Sequence, residues 1–505
     1  MTTITTTDPA TATTVDTGIP GTTDEQVAAI TSAAHSAFEY LRGTSRAWRA
    51  GLLRALADAL EADRARLTAT AAAETGLAAS PRLDGELTRS AFQLRLFADA
   101  VDEGGYLEAA IDHAAPTPMG PGPDIRRMLV PIGPVAVFGA SNFPFAFSVA
   151  GGDTASALAA GNPVVAKAHS SHPLTSRASF EALSAAAAAY GAPEGTLGIV
   201  YGQRGGATLV ADPRIAAVGF TGSLATGRIL LDIIESRERP VPFYGELSSL
   251  NPLIVTEGAV AARGDAIAEG LFASFTGSAG QLCTKPGIAF VPRGATALVD
   301  SVVALARAAA PQALLNERIF DAFGDIRGRL VEAGAATSLV EPRQGADGYS
   351  LSPAVLAIDA ADVTAAVAEE AFGPLLVIVR YDDVAEVAGA LAALPHSLTA
   401  TVHAETAEWE GLAPLVSELE QLVGRVVFNG FPTGVRVSWA QHHGGPWPAT
   451  NTAHTSVGVT AVRRFLRPLA WQDAPDELLP EELRDDYAGI ARRVDGILTL
   501  ATIAP

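Results

Sequence analysis

The chain has 505 residues and a net charge of -20, and 48% of its residues are hydrophobic against 18% that are charged. This length predicts two or three domains with substantial cores, and the composition is typical of a globular protein. The strong negative charge disfavours nucleic acid and anionic membranes as partners and favours small-molecule chemistry. The single cysteine excludes an internal disulfide and a cysteine-rich zinc site, so we expect a reducing, cytoplasmic location and no bound metal.

The first predicted elements are an arm and two helices. Residues 1–23 are rich in threonine and lack a continuous apolar segment, which predicts a flexible arm rather than a signal peptide. Thr23 followed by Gln26 is the signature of a capping box and predicts the start of a helix. A second helix is predicted over about 45–75. The Pro- and Gly-rich passage 116–123 then marks a break in the chain.

After this break, short apolar runs alternate with stretches long enough for a helix, which predicts a parallel α/β sheet. The first runs lie at 135–138, 163–166, 198–201 and 216–220. The pattern restarts after Asn251, with runs at 253–255, 288–291, 375–379 and 426–429. The sequence therefore predicts two α/β domains.

A glycine-containing turn follows the run at 216–220. Gly222, Ser223 and Gly227 lie at the start of a predicted helix, where free backbone N–H groups suit a pyrophosphate. The G-x-G-x-x-G fingerprint of dinucleotide-binding folds is absent. On its own, the turn is equally typical of an ordinary strand-to-helix connection.

The only cysteine, Cys283, lies in a segment of glycines and small polar residues, 277–287. A lone cysteine most often fills a core, but this segment predicts an exposed loop whose N–H groups can face a developing negative charge. Glu246 lies in a similar turn, where its alternative role is that of a solvated carboxylate. Together they suggest covalent catalysis by a thiol and a carboxylate base.

Several motifs occur in the order and spacing of the aldehyde dehydrogenase superfamily, and the resemblance spans about residues 23–469. They are Asn142-Phe143-Pro144, Lys167, Gly222-Ser223 with Gly227, Glu246-Leu247, Gly280-Gln281-Leu282-Cys283 and Glu370-Ala371-Phe372-Gly373-Pro374. The sequences at 139–144, 167–173 and 443–448 are similar to those of the branch that includes 2-oxoglutarate semialdehyde (2,5-dioxovalerate) dehydrogenases and NADP-dependent fatty-aldehyde dehydrogenases.

The resemblance implies an aldehyde dehydrogenase-like α/β fold with two parallel-sheet, Rossmann-like domains and a small oligomerisation element. Residues 1–250 would form the N-terminal dinucleotide-binding domain, with 116–134 as an oligomerisation strand segment. Residues 251–445 would form the catalytic domain that carries the nucleophile, and 446–505 a C-terminal return and oligomerisation segment. A homodimer or homotetramer is expected.

The resemblance also assigns the chemistry. Cys283 would attack the aldehyde carbon, and the Asn142 side chain with the Cys283 N–H would bind the oxyanion. Glu246 would draw a proton from the water that hydrolyses the thioester. Lys167, at the end of a predicted strand, completes the expected catalytic set and is our first choice for binding the ribose or phosphate of the cofactor.

The expected cofactor is NADP, with NAD as the alternative. Glu370, which precedes Phe372, resembles the family residue that holds the nicotinamide ribose hydroxyls. Ser170 can donate a hydroxyl, and Arg204 matches the position where NADP-using relatives carry a phosphate-binding arginine. An arginine in a Gly-rich loop can also be a plain surface charge. The further cofactor residues are those of the glycine turn, Gly222, Ser223 and Gly227.

The substrate pocket is less defined. Candidate lining residues, which could equally be core residues, are Phe143, Phe145, Gln281, Phe431, Trp439 and His443. Arg436 would suit a substrate with a distal carboxylate. The adjacent pair His442-His443 lacks a third ligand in sequence, so no metal site is predicted. The sequence therefore predicts oxidation of a small semialdehyde, 2-oxoglutarate semialdehyde, to the acid.

Four alternatives stay open at this point. The substrate could be a medium- or long-chain aliphatic aldehyde. The enzyme could pass the thioester to CoA, although a hydrolytic base such as Glu246 would then have no use. The chain could be a non-catalytic binding protein, which intact Cys283, Asn142 and Glu246 disfavour. It could also be a Cys/His amidohydrolase with His443 as base, which leaves the nucleotide motifs unexplained.

Overall fold

The N-terminal arm forms a β-hairpin in the computed structural model, which describes residues 3–332 and 336–501. Strands β1 (Thr3–Asp8) and β2 (Thr13–Pro20) pair antiparallel, and the hydroxyls of Thr7 and Thr14 lie 2.9 Å apart across the pair. The prediction of a flexible arm was therefore wrong for the described part of this segment. β-Branched threonine favours extended backbone, so a threonine-rich segment can be ordered where a strand partner is available.

A layer of helices follows: α1 (Asp24–Leu41), α2 (Arg46–Ala62), α3 (Arg64–Thr75) and α4 (Asp84–Glu103). The predicted capping box is formed, because Thr23 accepts from the N–H of Gln26 while the Gln26 side chain accepts from the N–H of Thr23. The second predicted helix is divided in two at Asp63, whose backbone leaves the helical conformation. Apolar faces of α2 and α4 are buried in the same core cluster.

Four short strands lie between this layer and the first large sheet: β3 (Ala110–Asp112), β4 (Ala115–Thr117), β5 (Gly120–Gly122) and β6 (Ile125–Pro131). The predicted break at 116–123 thus contains a small antiparallel hairpin of β4 and β5. Strand β6 pairs antiparallel with β3.

The first large sheet is parallel and has the strand order β11-β10-β7-β8-β9. Its elements are β7 (Val135–Phe138), α5 (Gly152–Ala160), β8 (Val164–Lys167), α6 (Pro173–Tyr190), β9 (Leu197–Val200), α7 (Gly202–Ala211), β10 (Ala217–Thr221), α8 (Leu224–Glu235) and β11 (Phe243–Glu246). The four predicted runs are strands, while β11 was not predicted. Because the strands are parallel, Lys167, Thr221 and Glu246 end three of them at one edge, where ligands bind in such sheets.

The second large sheet has the order β15-β17-β18-β13-β12-β19-β20, in which only the edge strand β15 is antiparallel to its neighbour. Its region comprises β12 (Leu253–Val255), α9 (Glu257–Thr276), β13 (Ile288–Pro292), α10 (Thr296–Ala308), β14 (Gln312–Ala313), α11 (Glu317–Glu332), β15 (Thr337–Val340), β16 (Ser350–Leu351), β17 (Ala354–Asp359), β18 (Leu375–Tyr381), α12 (Val384–Leu391), β19 (Ser397–His403), α13 (Trp409–Leu422) and β20 (Val423–Phe428).

The central strands of this second sheet are buried on both faces. Along β12, Leu253 and Val255 pack in one core cluster, and Ile254 packs in another on the opposite face. Strands of this kind form continuous apolar runs, which is why β12, β13 and β18 were visible in the sequence. The fourth predicted run lies in the partly buried edge strand β20, and the buried strands β17 and β19 were not predicted.

Three C-terminal strands complete a smaller sheet: β21 (Leu466–Gln472), β22 (Arg492–Val494) and β23 (Ile497–Thr499). The order is β21-β6-β3-β22-β23, so the described part of 446–505 shares a sheet with a strand from 116–134. These are the two segments predicted as oligomerisation elements. Among the described helices, none has both the length and the apolar character that a membrane crossing requires.

Candidate active site

Three ionisable side chains meet from distant parts of the chain. Glu246 ends β11, Cys283 lies in the loop after α9, and His443 lies in the segment after β20. His443 Nε2 lies 3.0 Å from Glu246 Oε1 and 3.6 Å from Cys283 Sγ. The imidazole therefore contacts both the candidate nucleophile and the candidate base, which also lie close to each other. The sequence suggested His443 as a lining residue and as the base of the amidohydrolase alternative but not as a partner of Glu246, because no local pattern signals contacts between residues this far apart.

The loop that presents Cys283 has an unusual backbone. Ser278 and Ala279 have φ values of 53° and 55°, and Gly280 has a φ of 69°. A Cβ on Gly280 would lie 2.4 Å from the backbone of Gly373, so only glycine fits there. Left-handed backbone at non-glycine residues is costly and is typical of functional loops.

Asparagine side chains hold this loop. Asn251 Nδ2 donates to the Cys283 carbonyl at 2.8 Å and to the Lys285 carbonyl at 2.9 Å. Asn142, which follows β7, donates from Nδ2 to the Gln281 carbonyl at 2.8 Å. An amide nitrogen has two hydrogens, so Asn142 keeps a second donor beside Cys283.

The charges in the cluster favour a resting thiol beside a carboxylate. Burial raises the pKa of Cys283 well above its ordinary value, and the negative charge of Glu246 raises it further. Burial alone would raise the pKa of Glu246, but the electrostatic and hydrogen-bonding effects of His443, with the bond from Ser456 Oγ at 2.9 Å, outweigh it and lower that pKa. Glu246 is therefore ionised at neutral pH.

The same three side chains are of the types that bind zinc, and their ligand atoms lie within 4.8 Å of one another in the described part of the chain. The ligands that His443 lacked in sequence are thus near it in space. The hydrogen bond of His443 to Glu246 already accounts for the arrangement without an ion. The absence of a metal stays a prediction.

A cleft runs from Cys283 along the carboxyl ends of the first sheet. Its inner part, of about 420 Å³, is lined by Asn142, Glu246, Cys283, Glu370 and Phe372, among others. Its outer part, of about 850 Å³, shares the glycine turn with the inner part and is lined by Lys167, Ser170, Arg204, Gly222 and Ser223, among others. The structure therefore brings nearly all the predicted cofactor residues into one continuous cleft.

Gly227 is the predicted cofactor residue that does not line this cleft. It lies in the first turn of α8, where a Cβ would meet Leu247 Cδ2 at 2.5 Å. Its lack of a side chain permits close packing of α8 rather than contact with a ligand.

The cleft has the donors and acceptors that a dinucleotide needs. The N-terminus of α8, with Ser223 as its N-cap, faces the cleft and suits a phosphate. Burial lowers the pKa of Lys167 to about 8. Glu370 accepts from Ser248 Oγ at 2.7 Å and from the Ser249 N–H at 2.9 Å, which fixes its carboxylate beside Cys283, although burial raises its pKa. These residues fit a nicotinamide dinucleotide.

Arg204 reaches the outer cleft but is not free. Its Nε and Nη2 bond to Asp24, which also accepts from Thr208 Oγ1 at 2.8 Å. The Arg204 side chain is 81% exposed, so an incoming phosphate can reach the guanidinium from solvent.

A second, smaller cavity lies on the other side of Cys283. It has a volume of about 310 Å³ and is lined by Arg82, Gly85, Glu86, Arg89, Phe143, Phe147, Ser278, Leu282, Cys283, Thr284, Thr433, Val435 and His443. Of the predicted pocket residues, Phe143 and His443 belong to this lining. Arg82 and Arg89 were not predicted to line the pocket, because they carry no spacing signal that relates them to Cys283.

The other predicted pocket residues lie elsewhere. Phe145 and Gln281 are fully buried and pack in the interior. Phe431 packs against His403, with ring centroids 5.0 Å apart, and Trp439 is 51% exposed. Arg436 is exposed and lies outside the lining of this cavity.

The chain matches a known protein family and named relatives over most of its length. The model of the aldehyde dehydrogenase family matches residues 1–446. The chain is 44% identical over 473 residues to alpha-ketoglutaric semialdehyde dehydrogenase 2 of Azospirillum brasilense, covering 92% of this chain and 90% of that one. It is 40% identical over 496 residues to the alpha-ketoglutaric semialdehyde dehydrogenase of Acinetobacter baylyi, covering 94% and 92%.

The fold matches solved structures as well. The NADP complex of NADP-dependent glyceraldehyde-3-phosphate dehydrogenase from Bacillus halodurans superposes with a TM-score of 0.80 at 23% identity, covering 94% of this chain and 96% of that one. This likeness confirms the predicted fold class, and the family model with the two relatives confirms the resemblance stated from the motifs. The chain belongs to the aldehyde dehydrogenase family of NAD(P)-dependent oxidoreductases, which oxidise aldehydes to acids.

Proposed function

We propose that this enzyme oxidises 2-oxoglutarate semialdehyde to 2-oxoglutarate, with NADP as the preferred cofactor. The observation that carries the proposal is the position of Cys283, which lines both a dinucleotide-sized cleft and a small separate cavity. The names of the two relatives at 44% and 40% identity support the substrate. A cavity of about 310 Å³ is at the lower end of the roughly 300–1,000 Å³ found for ligand sites, which favours a short aldehyde over a long aliphatic one.

Cys283 is the proposed nucleophile. Because its pKa is raised, the resting thiol must lose its proton before attack, and the proposed acceptor is solvent in the cleft that Cys283 lines, since His443 Nε2 already donates to the ionised Glu246. When Sγ bonds to the aldehyde carbon, the carbonyl electron pair moves onto oxygen. The free amide hydrogen of Asn142 and the Cys283 N–H are the proposed donors to that oxyanion. When bound, NAD(P)+ supplies the acceptor for the hydride that leaves this adduct, after which a thioester remains on Cys283.

Glu246 is the proposed base for hydrolysis. Its lowered pKa keeps it ionised, and Ser456 fixes the carboxylate through Oε2. It removes a proton from water as the water oxygen bonds to the thioester carbon; the C–S bond then breaks and releases the acid. A CoA-acylating enzyme would have no use for this base.

The cofactor would be held along the cleft at the carboxyl ends of the first sheet. Glu370 would accept from the hydroxyls of the nicotinamide ribose, with Phe372 beside it, and Lys167 would bind the other ribose or the phosphates. Ser170 and Arg204 would bind the 2′-phosphate that distinguishes NADP. For Arg204 this means that the phosphate shares the guanidinium with Asp24 or displaces it.

We further propose the division into a dinucleotide-binding domain, 1–250, a catalytic domain, 251–445, and a C-terminal segment, 446–505. The sheet that joins β6 to the C-terminal strands supports assembly into a homodimer or homotetramer, since its edge strand β23 exposes Ile497 and Leu498. A single unpaired cysteine suits a reducing, cytoplasmic location.

Initial rates measured with 2-oxoglutarate semialdehyde and with hexanal, each with NAD and with NADP, test the proposal. The highest kcat/KM is expected for the semialdehyde with NADP, and Cys283→Ala serves as the inactive control. A wild-type preference for hexanal would replace the proposed substrate with an aliphatic aldehyde. A preference for NAD would overturn only the cofactor assignment.

A further inference from the structure

Two arginines line the small cavity beside Cys283, and only one of them has hydrogen-bond partners among the described residues. Arg82 donates from all three nitrogens: to Ser278 Oγ at 3.1 Å, to Glu86 Oε2 at 2.6 Å and to the Asn142 carbonyl at 2.9 Å. Its guanidinium also lies 4.5 Å from the centre of the Phe143 ring. Arg82 is therefore a fixed part of the cavity wall.

Arg89, seven residues further along on α4, is in the opposite situation. Its Nε and Nη2 are shielded from solvent and have no hydrogen-bond partner among the described residues. Its guanidinium lies 6.0 Å from the Phe143 ring centre and 5.1 Å from that of Phe147. Burial lowers the pKa of Arg89, as expected for a charge that has lost its hydration.

Glu86, the acid whose charge acts most strongly on Arg89, does not hydrogen-bond to it. The Oε2 atom of Glu86 accepts from Arg82, and its Oε1 accepts from the N–H groups of Phe145 at 2.8 Å and Ala146 at 2.9 Å. Glu86 is thus committed to other donors. Guanidinium nitrogens that are shielded from solvent and lack hydrogen-bond partners are costly, and an anionic group that enters the cavity would reduce that cost.

We propose that Arg89 binds the carboxylate of the substrate and thereby makes the enzyme selective for short semialdehydes that carry an acid at the far end. This inference rests on the proposed function and names the group that selects its substrate. A guanidinium offers paired donors to the two oxygens of a carboxylate. The rings of Phe143 and Phe147 flank the guanidinium and would contact the carbon chain between the acid and the aldehyde at Cys283.

This assignment replaces the sequence-based candidate, Arg436. That side chain is exposed and does not line the cavity, so water already solvates its charge. A carboxylate gains less binding free energy from an exposed cation than from one that is shielded from water.

A different role for Arg89 would be to stabilise the thiolate of Cys283, since its charge acts to lower the pKa of that thiol. The two roles predict different kinetics. Loss of thiolate stabilisation would slow every aldehyde, whereas loss of a carboxylate contact would affect only substrates that carry one.

The test compares Arg89→Gln and Arg89→Lys with wild type on three five-carbon aldehydes: 2-oxoglutarate semialdehyde, 5-oxopentanoate and pentanal. For Arg89→Gln, the KM of both acids is expected to rise about 10- to 100-fold, the equivalent of one charged hydrogen bond or bonding pair. The kcat/KM of pentanal is expected to stay within about threefold. Arg89→Lys keeps the charge and should raise the KM of the acids less. Arg436→Gln is the matched control and should change no KM.

The outcomes separate this inference from the proposed function. Wild type that does not oxidise the acids would refute the proposed function itself. If wild type oxidises the acids but the Arg89 variants lose kcat/KM equally for all three aldehydes, the role of Arg89 is overturned and the proposed function stands. As a check that needs no variant to fold, 2-oxoglutarate should protect Cys283 of wild type from iodoacetamide, and 2-pentanone at the same concentration should not. Equal protection by both compounds would contradict an anion site.

Discussion

Replacing Glu246 by Gln should separate the two halves of the reaction. The amide is nearly the same size as the carboxylate, and its oxygen can still accept from Ser456 Oγ, so the buried site should keep its shape. What is lost is the base. Positioned general bases contribute about 10²–10⁴-fold, so the hydrolysis step should slow by that factor, or about 3–5 kcal/mol.

The same substitution has a second expected effect, on Cys283. The charge of Glu246 raises the pKa of the thiol, so its removal lowers that pKa and increases the thiolate fraction at a given pH. Alkylation of Cys283 by iodoacetamide should therefore be faster in Glu246→Gln than in wild type.

Rapid mixing with the semialdehyde and NADP measures both halves. We expect a burst of about one NADPH per active site followed by a stalled steady state, with the acyl-enzyme visible by intact-protein mass spectrometry. Glu238→Gln, which changes an exposed glutamate, is the control and should behave as wild type. Loss of burst and steady state to the same extent, together with slower alkylation, would refute hydrolysis as the step that needs Glu246 and make it the base for the thiol.

Three further predictions address the cofactor, the loop and the pH response. Arg204→Ala should weaken NADP by about 1.5–3 kcal/mol and leave NAD nearly unchanged in fluorescence titrations; an equal loss for both would remove Arg204 from the 2′-phosphate site. Gly280→Ala should lower the free energy of unfolding in urea by about 2 kcal/mol or more, since it adds left-handed strain of about 1–2 kcal/mol to a clash with Gly373. Gly294→Ala, with open space around the new Cβ, is the control and should leave the free energy of unfolding unchanged. Equal stabilities of the two variants would show that the loop adapts to a side chain at residue 280. The folded-state pKa of Glu246 lies below its ordinary value of 4.5, so its contribution to stability is complete above pH 4.5 and is lost as pH falls through the lower folded-state pKa. The free energy of unfolding of wild type should therefore fall more steeply on acidification than that of Glu246→Gln. Parallel curves of unfolding free energy against pH would contradict the lowered pKa.

Much of the fold could be predicted from the sequence because its signals are local. Strands buried on both faces read as continuous apolar runs, and the capping box at Thr23 and Gln26 lies within one turn. The same reasoning failed where local composition was ambiguous. The threonine-rich arm forms a hairpin because its two strands hydrogen-bond to each other. Strand β11 was not predicted because its sequence, Phe-Tyr-Gly-Glu, is not a continuous apolar run.

The residue types of the candidate site were also visible in sequence, since Cys283 and Glu246 each lie in a Gly- or Ser-rich turn. Their surroundings were decided by tertiary structure alone. His443 meets Glu246 across 197 residues, and Arg89 rather than Arg436 lines the cavity beside Cys283. Whether an arginine is solvated or left without partners depends on which distant groups surround it, and spacing along the chain does not encode that. The sequence by itself therefore determined the strand pattern and the reacting groups, and packing determined which charges face them.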